Sequence, residues 1–318
     1  MRTLFVCLLG FVSCQAAEND QRWQAAIAET ETLIAKGQYQ EARIAAQSAL
    51  RIADHGDTDI RAGIAWNHLA WVDQVSGRLR EAETGHLRAM RILQKFPSSL
   101  AYSMELNDLA TLYAMLGENP AEIERLRRRA LEIAMEELGP HHPKLAVLLT
   151  NLAGVRFSQG AKREARALLD KALALGLEPL DRAWVLANLS GLCLNERRFS
   201  AALDHGNEVI TIRERELGPE HPDLVLPLLT LGRVHVKLGR ASVAQQTLRR
   251  AIAIAEGRLG QTHPAVIECL TELATVLRKL GDRKEARALS RRANAIRAES
   301  PVHAGRAWVQ GSAFSFGR

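Results

Sequence analysis

Aromatic residues make up only 5% of the 318-residue chain. Sandwich and barrel cores draw on aromatic and β-branched side chains, so this scarcity argues against an all-β fold. Cysteine is also rare. The four, Cys7, Cys14, Cys193 and Cys269, show no paired spacing, so neither a disulfide framework nor a cysteine metal site is implied. Excess charge of one sign is small, with 42 Lys and Arg against 36 Asp and Glu, a net of +6. Without aromatics interleaved among the basic residues there is no platform for stacking bases, and nucleic acid is not expected as a partner. No Gly-x-Ser-x-Gly, phosphate-cradling glycine loop or His-Glu-x-x-His occurs, so neither catalysis nor a cofactor is expected. What the chain does have is 47% hydrophobic residues, alanine and leucine prominent among them, a mixture suited to closely packed helices.

The first residues read as an export signal over 1–16. Arg2 supplies the positive end, Leu4 to Val12 an apolar stretch too short to span a bilayer, and Ser13-Cys14-Gln15-Ala16 a small-residue cleavage region. Ordinary cleavage after Ala16 is one outcome. A second is lipidation of Cys14, since Phe11-Val12-Ser13-Cys14 resembles a bacterial lipobox with Phe11 in place of the usual aliphatic, and a third is a segment that is not cleaved or is no signal. Either of the first two places the mature chain in the periplasm or outside the cell, as a soluble protein or an outer-membrane lipoprotein. Membrane attachment would then come only through lipid on Cys14. Cys193 and Cys269 stand two repeats apart and are expected as buried small hydrophobes.

Internal repetition organises the rest. Gly37-Gln38-Tyr39-Gln40-Glu41-Ala42 returns as Gly77-Arg78-Leu79-Arg80-Glu81-Ala82, Gly160-Ala161-Lys162-Arg163-Glu164-Ala165 and Gly281-Asp282-Arg283-Lys284-Glu285-Ala286. Weaker copies start at Gly117, Arg197 and Gly239, and the seven anchors are spaced by 40, 40, 43, 37, 42 and 42 residues. Eight residues before the anchors stand Leu69, Leu109, Leu152, Leu189, Leu231 and Leu273. Five after come Ala42, Ala82, Ala165, Ala202, Ala244 and Ala286. The anchor glycine suits a helix end, where a left-handed residue without a Cβ costs least. The small residues let two antiparallel helices approach, and the leucine fills the space between them. One hairpin cannot bury its apolar face alone, so neighbours must stack. The first repeat carries Glu29 where the leucine belongs, as suits a polar cap.

This small–large–small pattern around a loop glycine resembles the tetratricopeptide repeat. The 42-residue period and the linkers Leu138-Gly139-Pro140-His141-His142-Pro143, Leu217-Gly218-Pro219-Glu220-His221-Pro222 and Leu259-Gly260-Gln261-Thr262-His263-Pro264 resemble the kinesin-light-chain variety. The resemblance implies an all-α, right-handed superhelical solenoid of about seven antiparallel helix hairpins over residues 20–298. Two departures stand out: the Leu175 to Leu180 linker lacks the His-Pro element, and Arg197 replaces a loop glycine. Pro227 falls early in a first helix, where only the N-terminal turn tolerates it without a kink.

The linker histidines His141, His142, His221 and His263 recur about one repeat apart, too far to converge on a zinc ion, and no metal is expected. Before proline they suit hydrogen bonding to linker backbone. Basic residues recur just before the small residue of five second helices: Arg88, Arg128, Lys171, Arg250 and Arg292, with Arg127, Arg129, Arg249 and Arg291 beside them. They read either as a solubilising face with i,i+4 glutamate pairs or as a stripe for an anionic surface.

The first helices offer a binding face. In the family this face lines the concave groove. Here it contains Asn67, Trp71, Asn107, Asn151, Phe157, Asn188, Arg233, Lys237, Arg278 and Lys279. Asn151 and Asn188 match the family position whose amide grips peptide backbone, and an amide can both donate and accept. Gly154 and Gly191 either open a floor beside Phe157 and Trp184 or allow tight packing. Arg233, Lys237, Arg278 and Lys279 would favour an acidic peptide segment. The expected role is an exported interaction scaffold for a protein or peptide. The alternative is a self-associating envelope component. Residues 299–318, with Trp308, Phe314 and Phe316, read as a flexible tail or as a plug for the groove.

Overall fold

The computed structural model describes residues 2–36, 38–53 and 59–299, and of residues 2–17, 35 and 299 the backbone alone. The Cys14 side chain and the tail beyond Glu299 therefore lie outside what is described. The described residues form seven antiparallel α-hairpins: α1 (Arg2–Ala35) with α2 (Tyr39–Ile52), α3 (Ile60–Val75) with α4 (Leu79–Leu93), and α5 (Leu100–Leu116) with α6 (Pro120–Leu138). Next come α7 (Leu145–Ser158) with α8 (Lys162–Leu173), α9 (Pro179–Asn195) with α10 (Phe199–Leu217), α11 (Val225–Lys237) with α12 (Ala241–Leu259), and α13 (Pro264–Leu280) with α14 (Arg283–Glu299). The segment read as a leader is helical from Arg2 and continuous with the rest of α1. Among the described residues no helix is long and apolar enough to cross a membrane.

Two compact units divide the chain: residues 1–113 with 125–139, and 114–124 with 140–318, so the division passes through the tip of the third hairpin. In the first unit, α2 packs on α3. In the second, α8 packs on α9, α10 on α11 and α12 on α13, while the first helices α7, α9, α11 and α13 touch in succession. The phased residues form the core. Ala42, Ala82, Ala165, Ala202 and Ala244 are fully buried, and Leu69, Leu109, Leu152, Leu189, Leu231 and Leu273 are no more than 6% exposed. Cys193 and Cys269 are buried free thiols, and burial pushes Cys269 up to about 12.

The anchors at 77, 117, 160, 239 and 281 are left-handed glycines, and Arg197 adopts the same conformation, with φ of 61°. A side chain there meets its own backbone, at a cost of about 1–2 kcal/mol. Arg197→Gly is therefore expected to raise stability by about 1 kcal/mol in thermal or chemical unfolding. Pro227 is the third residue of α11, inside the tolerant first turn, and a short 3-10 turn, Pro222–Leu224, precedes the helix.

Three of the four linker histidines accept the backbone N–H two residues on, and His221 and His263 do so as N-caps. His142 Nδ1 accepts the Lys144 N–H at 3.1 Å, and His221 and His263 accept those of Asp223 and Ala265, both at 3.2 Å. An accepting nitrogen must be unprotonated, and burial lowers the pKa of His263. The unfolded chain therefore takes the proton first. The cap's contribution is full above pH 6.5, the ordinary value, and is lost as pH falls through the lower folded value. His263→Ala is expected to cost about 1 kcal/mol at pH 8 and less at pH 5, read from melting curves at the two pH values.

Arg129 pairs within its own helix, with Glu132 three residues on at 3.3 Å, while three other basic residues of the second helices pair across hairpins. Arg250 meets Glu214 at 2.5 Å, Arg292 meets Glu256 at 2.6 Å and Arg249 meets Glu285 at 2.7 Å. Stacked hairpins bring side chains about 36 residues apart within reach, which a single helix cannot do. Arg88 stacks on Trp66, 4.6 Å from the ring centroid. Arg127, read as part of the outer stripe, is instead buried at 4% exposure, and desolvation lowers its pKa to about 10.

Candidate functional site

The second unit contains a cavity of about 230 Å³ between α9, α10 and α11, with Phe157 of α7 at its side. Phe157, Asn188 and Arg233, three residues of the expected groove, line it together with Trp184, Gly191 and Thr230. A Cβ added at Gly191 would meet nothing within 4 Å. Between the two roles open to Gly191, floor of a pocket or close packing, the geometry favours the floor. Gly154 does not line the cavity.

Two polar atoms are held in this wall without partners. The Asn188 side chain, 2% exposed, donates through Nδ2 to the Trp184 carbonyl at 2.8 Å, which fixes the amide along α9. Its Oδ1 is buried with no hydrogen-bond partner among the described residues, and so is Trp184 Nε1. Buried polar atoms are nearly always paired, and each lone one costs about 1–3 kcal/mol. Both atoms lie buried within the wall, and the lining of the cavity mixes apolar Leu194, Val209 and Leu226 with polar Asn195, Thr230, Arg213 and Arg233.

The charged wall differs from the expected one. Arg233 Nε donates to Glu272 at 2.6 Å and its Nη2 lies 3.6 Å from Glu268, so its charge is already met. Burial raises the pKa of Glu268, opposed by Arg233. Lys237, Arg278 and Lys279 are exposed at the C-terminal ends of α11 and α13, and Arg278 donates to Thr275 at 3.1 Å. Arg213, on α10, was not among the expected residues because only first helices were read as groove. Arg213 lines the cavity, and its guanidinium donates to the Asp223 carbonyl. Burial lowers its pKa, partly offset by Asp223.

In the first unit the expected groove residues enter a buried network. Asn67, 5% exposed, donates to Glu105 at 2.9 Å and to Asp108 at 3.0 Å, and Asn107 donates to Asp108 at 3.2 Å. Glu105 in turn faces His86 Nδ1 at 3.1 Å, with both side chains fully buried, while His86 Nε2 faces Gln74 at 3.3 Å. Trp71 is half-buried, and Asn151, in the second unit, is 4% exposed.

The repeat phase explains both sites. His86 stands nine residues after its anchor and Glu105 twelve before the next. In the second unit the same two positions hold Leu169 and Val185, Gly206 and Pro227, then Leu248 and Cys269. The aliphatic and Cys pairs are fully buried core, whereas Gly206 and Pro227 line the cavity. Polar residues at a phased core position, and a Gly–Pro pair at the same position, were the signals in the sequence. Among the described residues no group of three or more His, Cys, Asp or Glu is placed to hold a metal.

Models of the tetratricopeptide repeat match residues 100–178, 181–257 and 266–300. Among curated proteins, the mitochondrial tetratricopeptide repeat protein 19 of Homo sapiens is 26% identical over 137 residues, covering 42% of this chain and 36% of that protein. Its Mus musculus counterpart is 24% identical over 119 residues, covering 36% and 33%. The chain thus spans about a third of the length of these curated relatives. Among solved structures, the nearly identical tetratricopeptide-like repeats of a kinesin light chain from Podosopora anserina superpose with a TM-score of 0.51 at 25% identity, covering 65% of this chain and 98% of that one. A tetratricopeptide repeat protein from Parabacteroides merdae shares the fold, with a TM-score of 0.53 at 14% identity over 91% of this chain and 99% of that one.

Proposed function

The chain belongs to the tetratricopeptide repeat family, with kinesin-light-chain-like repeats, and from that premise we propose that it is an exported scaffold holding a segment of a partner protein in the cavity of its second unit. The observation that carries this reading is the cavity itself, which brings Phe157, Asn188 and Arg233 of the expected groove face together over the open floor at Gly191. An extended peptide laid along this face could place a side chain in the cavity above Gly191. Export rests on the leader-like residues 1–16. The exposed Lys237, Arg278 and Lys279 would meet an acidic stretch of the partner beyond the cavity, a weak and salt-sensitive contribution.

Nonapeptides selected from a displayed random library on the full chain are expected to bind Gly191→Leu at least tenfold more weakly than the parent. Leucine would occupy the open space over the floor without disturbing the helix. Asn188→Leu should weaken the same peptides. If both variants retain parental affinity and melt normally, the segment docks elsewhere and this reading fails.

A further inference from the structure

The last helix concentrates the chain's positive charge. α14 carries six cations against two carboxylates, a net +4 of the whole chain's +6. Arg292 meets Glu256, and Glu285 is taken by Arg249 of the preceding hairpin. The buried side of the helix runs through Ala286, Ala293 and Ile296. Away from it, Arg283, Lys284, Arg287, Arg291 and Arg297 share one exposed face, since steps of four and seven residues return to the same side of a helix. The exposed remainder of that face is Asn294 and alanines, and Arg297 donates to Asn294 at 3.0 Å. No ion pair among the described residues reaches any of the five cations. The repeat phase explains why. Six residues after its anchor, Arg166 meets Glu196 of the next hairpin, and ten after, Arg249 meets Glu285 of the next. Arg287 and Arg291 hold the same two positions in α14, and among the described residues no hairpin follows to supply a carboxylate. A second copy stacked there would offer Glu41 to Arg291 but set Lys36 against Arg287, so charge does not favour it.

We propose that this face of α14 docks on an anionic lipid bilayer, with its guanidinium and ammonium groups on the lipid phosphates. Clusters of about four to eight Lys and Arg on one element bind anionic lipid because each cation gains from the negative surface potential. Here no carboxylate on the same face opposes that gain. One such signal gives weak attachment, and the sequence that follows supplies a second. Residues 300–318 contain Arg306 and Arg318, no Asp or Glu, and Trp308, Phe314 and Phe316. Aromatic side chains of this kind settle at the headgroup level of a bilayer. Nucleic acid is a poorer match, since the aromatics follow the cations rather than lie among them, where bases would stack. Attachment through α14 needs no lipid on Cys14 and does not depend on the cavity between α9 and α11.

Co-sedimentation of the full chain with vesicles of phosphatidylcholine, alone or with phosphatidylglycerol as a third of the lipid, tests this at low and high salt. Binding is expected to be at least tenfold tighter with phosphatidylglycerol and to fall steeply with salt. Arg287→Glu with Arg291→Glu should weaken it at least tenfold. Arg287→Lys with Arg291→Lys should leave it nearly unchanged, since a bilayer responds to charge rather than to a bidentate fork. Lys162→Glu with Arg163→Glu makes the same charge change on exposed residues of α8 and should have little effect. Trp308→Ala should weaken binding and leave the preference for phosphatidylglycerol. Melting curves establish that each variant is folded. Equal binding to both vesicles, or to neither, overturns the proposal, and an equal loss from the α8 pair overturns the role of α14. Duplex DNA held more tightly than the vesicles would assign the face to nucleic acid instead. Dimers in light scattering that Arg291→Glu dissolves, without vesicle binding, would assign it to a second copy.

Discussion

Glu105→Leu is expected to destabilise the first unit by about 3–5 kcal/mol, and His86→Leu by a similar amount, whereas the double variant should lie within about 1 kcal/mol of the parent or above it. Each single change leaves a polar or charged partner fully buried without its counterpart. The double change removes both, and the chain itself supplies the precedent. The equivalent positions hold Leu169 and Val185 in one hairpin pair and Leu248 and Cys269 in another, all fully buried. Asn67 keeps Asp108 as an acceptor when Glu105 is gone. Denaturant unfolding, with amide exchange followed in α4 and α5, measures the cycle. Additive single effects would mean that the two side chains are not coupled.

The same pair sets a pH dependence. Burial raises the pKa of Glu105, with His86 opposing. Burial alone would lower His86, but the Glu105 and Asp108 carboxylates outweigh it and its pKa is raised. Both shifts mean that the folded unit binds protons more readily than the unfolded chain, so folding takes up protons and stability falls as pH rises. Compared with the double leucine variant, the parent should lose stability from about pH 4.5, the ordinary value of Glu105, through and beyond 6.5, that of His86. Other charges near the pair are few. Asp108 lies on α5, α3 contributes the amides of Asn67 and Gln74, and Glu31 of α1 and Arg43 of α2 engage His68 and Asp73 of α3 instead. The sign is opposite to that of the His263 cap, so the two histidines are separable by pH.

The hairpins were legible because their determinants are local and repeated. A glycine that ends a helix, an alanine at a close approach and a leucine between helices act within one hairpin, and the phase survives in six or seven copies. Arg197 shows how strongly the turn is dictated, since it is left-handed without the residue that makes this easy. The site was legible only in part. Phe157, Trp184, Asn188, Gly191 and Arg233 fall on one first-helix face, and three successive first helices bring them together. Arg213 was out of reach because it comes from a second helix, and whether an arginine is free depends on glutamates about 36 to 39 residues away. Arg233 and Arg250 find such partners, whereas Arg213 meets Asp223, ten residues on, and has no such glutamate among the described residues. Asn67 and Asn107 share the groove face by periodicity, yet Asp108 and Glu105 draw their amides inward.

Two glycines in the cavity wall should respond to alanine with opposite sign. At Gly191 the new methyl would stand in open space within α9, so only the backbone counts. Alanine should raise stability by about 0.5–1 kcal/mol through its greater helix propensity. At Gly206 propensity alone predicts the same gain. There, however, the methyl would lie 2.5 Å from Leu231 Cδ2, 3.0 Å from its Cγ and 3.3 Å from Ser190 Oγ. Leu231 is the phased leucine of its hairpin and 4% exposed, and Ser190 Oγ is tied to the Ala202 carbonyl at 2.7 Å, so neither has much room to yield. Overpacking of this kind costs about 1–3 kcal/mol and should prevail over propensity. Thermal unfolding of the two alanine variants decides it. A gain at both positions would mean that α10 and α11 are not held this close, and a loss at both would mean that the space over Gly191 is filled. The opposed result would tie the cavity to a division of labour, with Gly206 serving the approach of two helices and Gly191 leaving the floor open for a ligand.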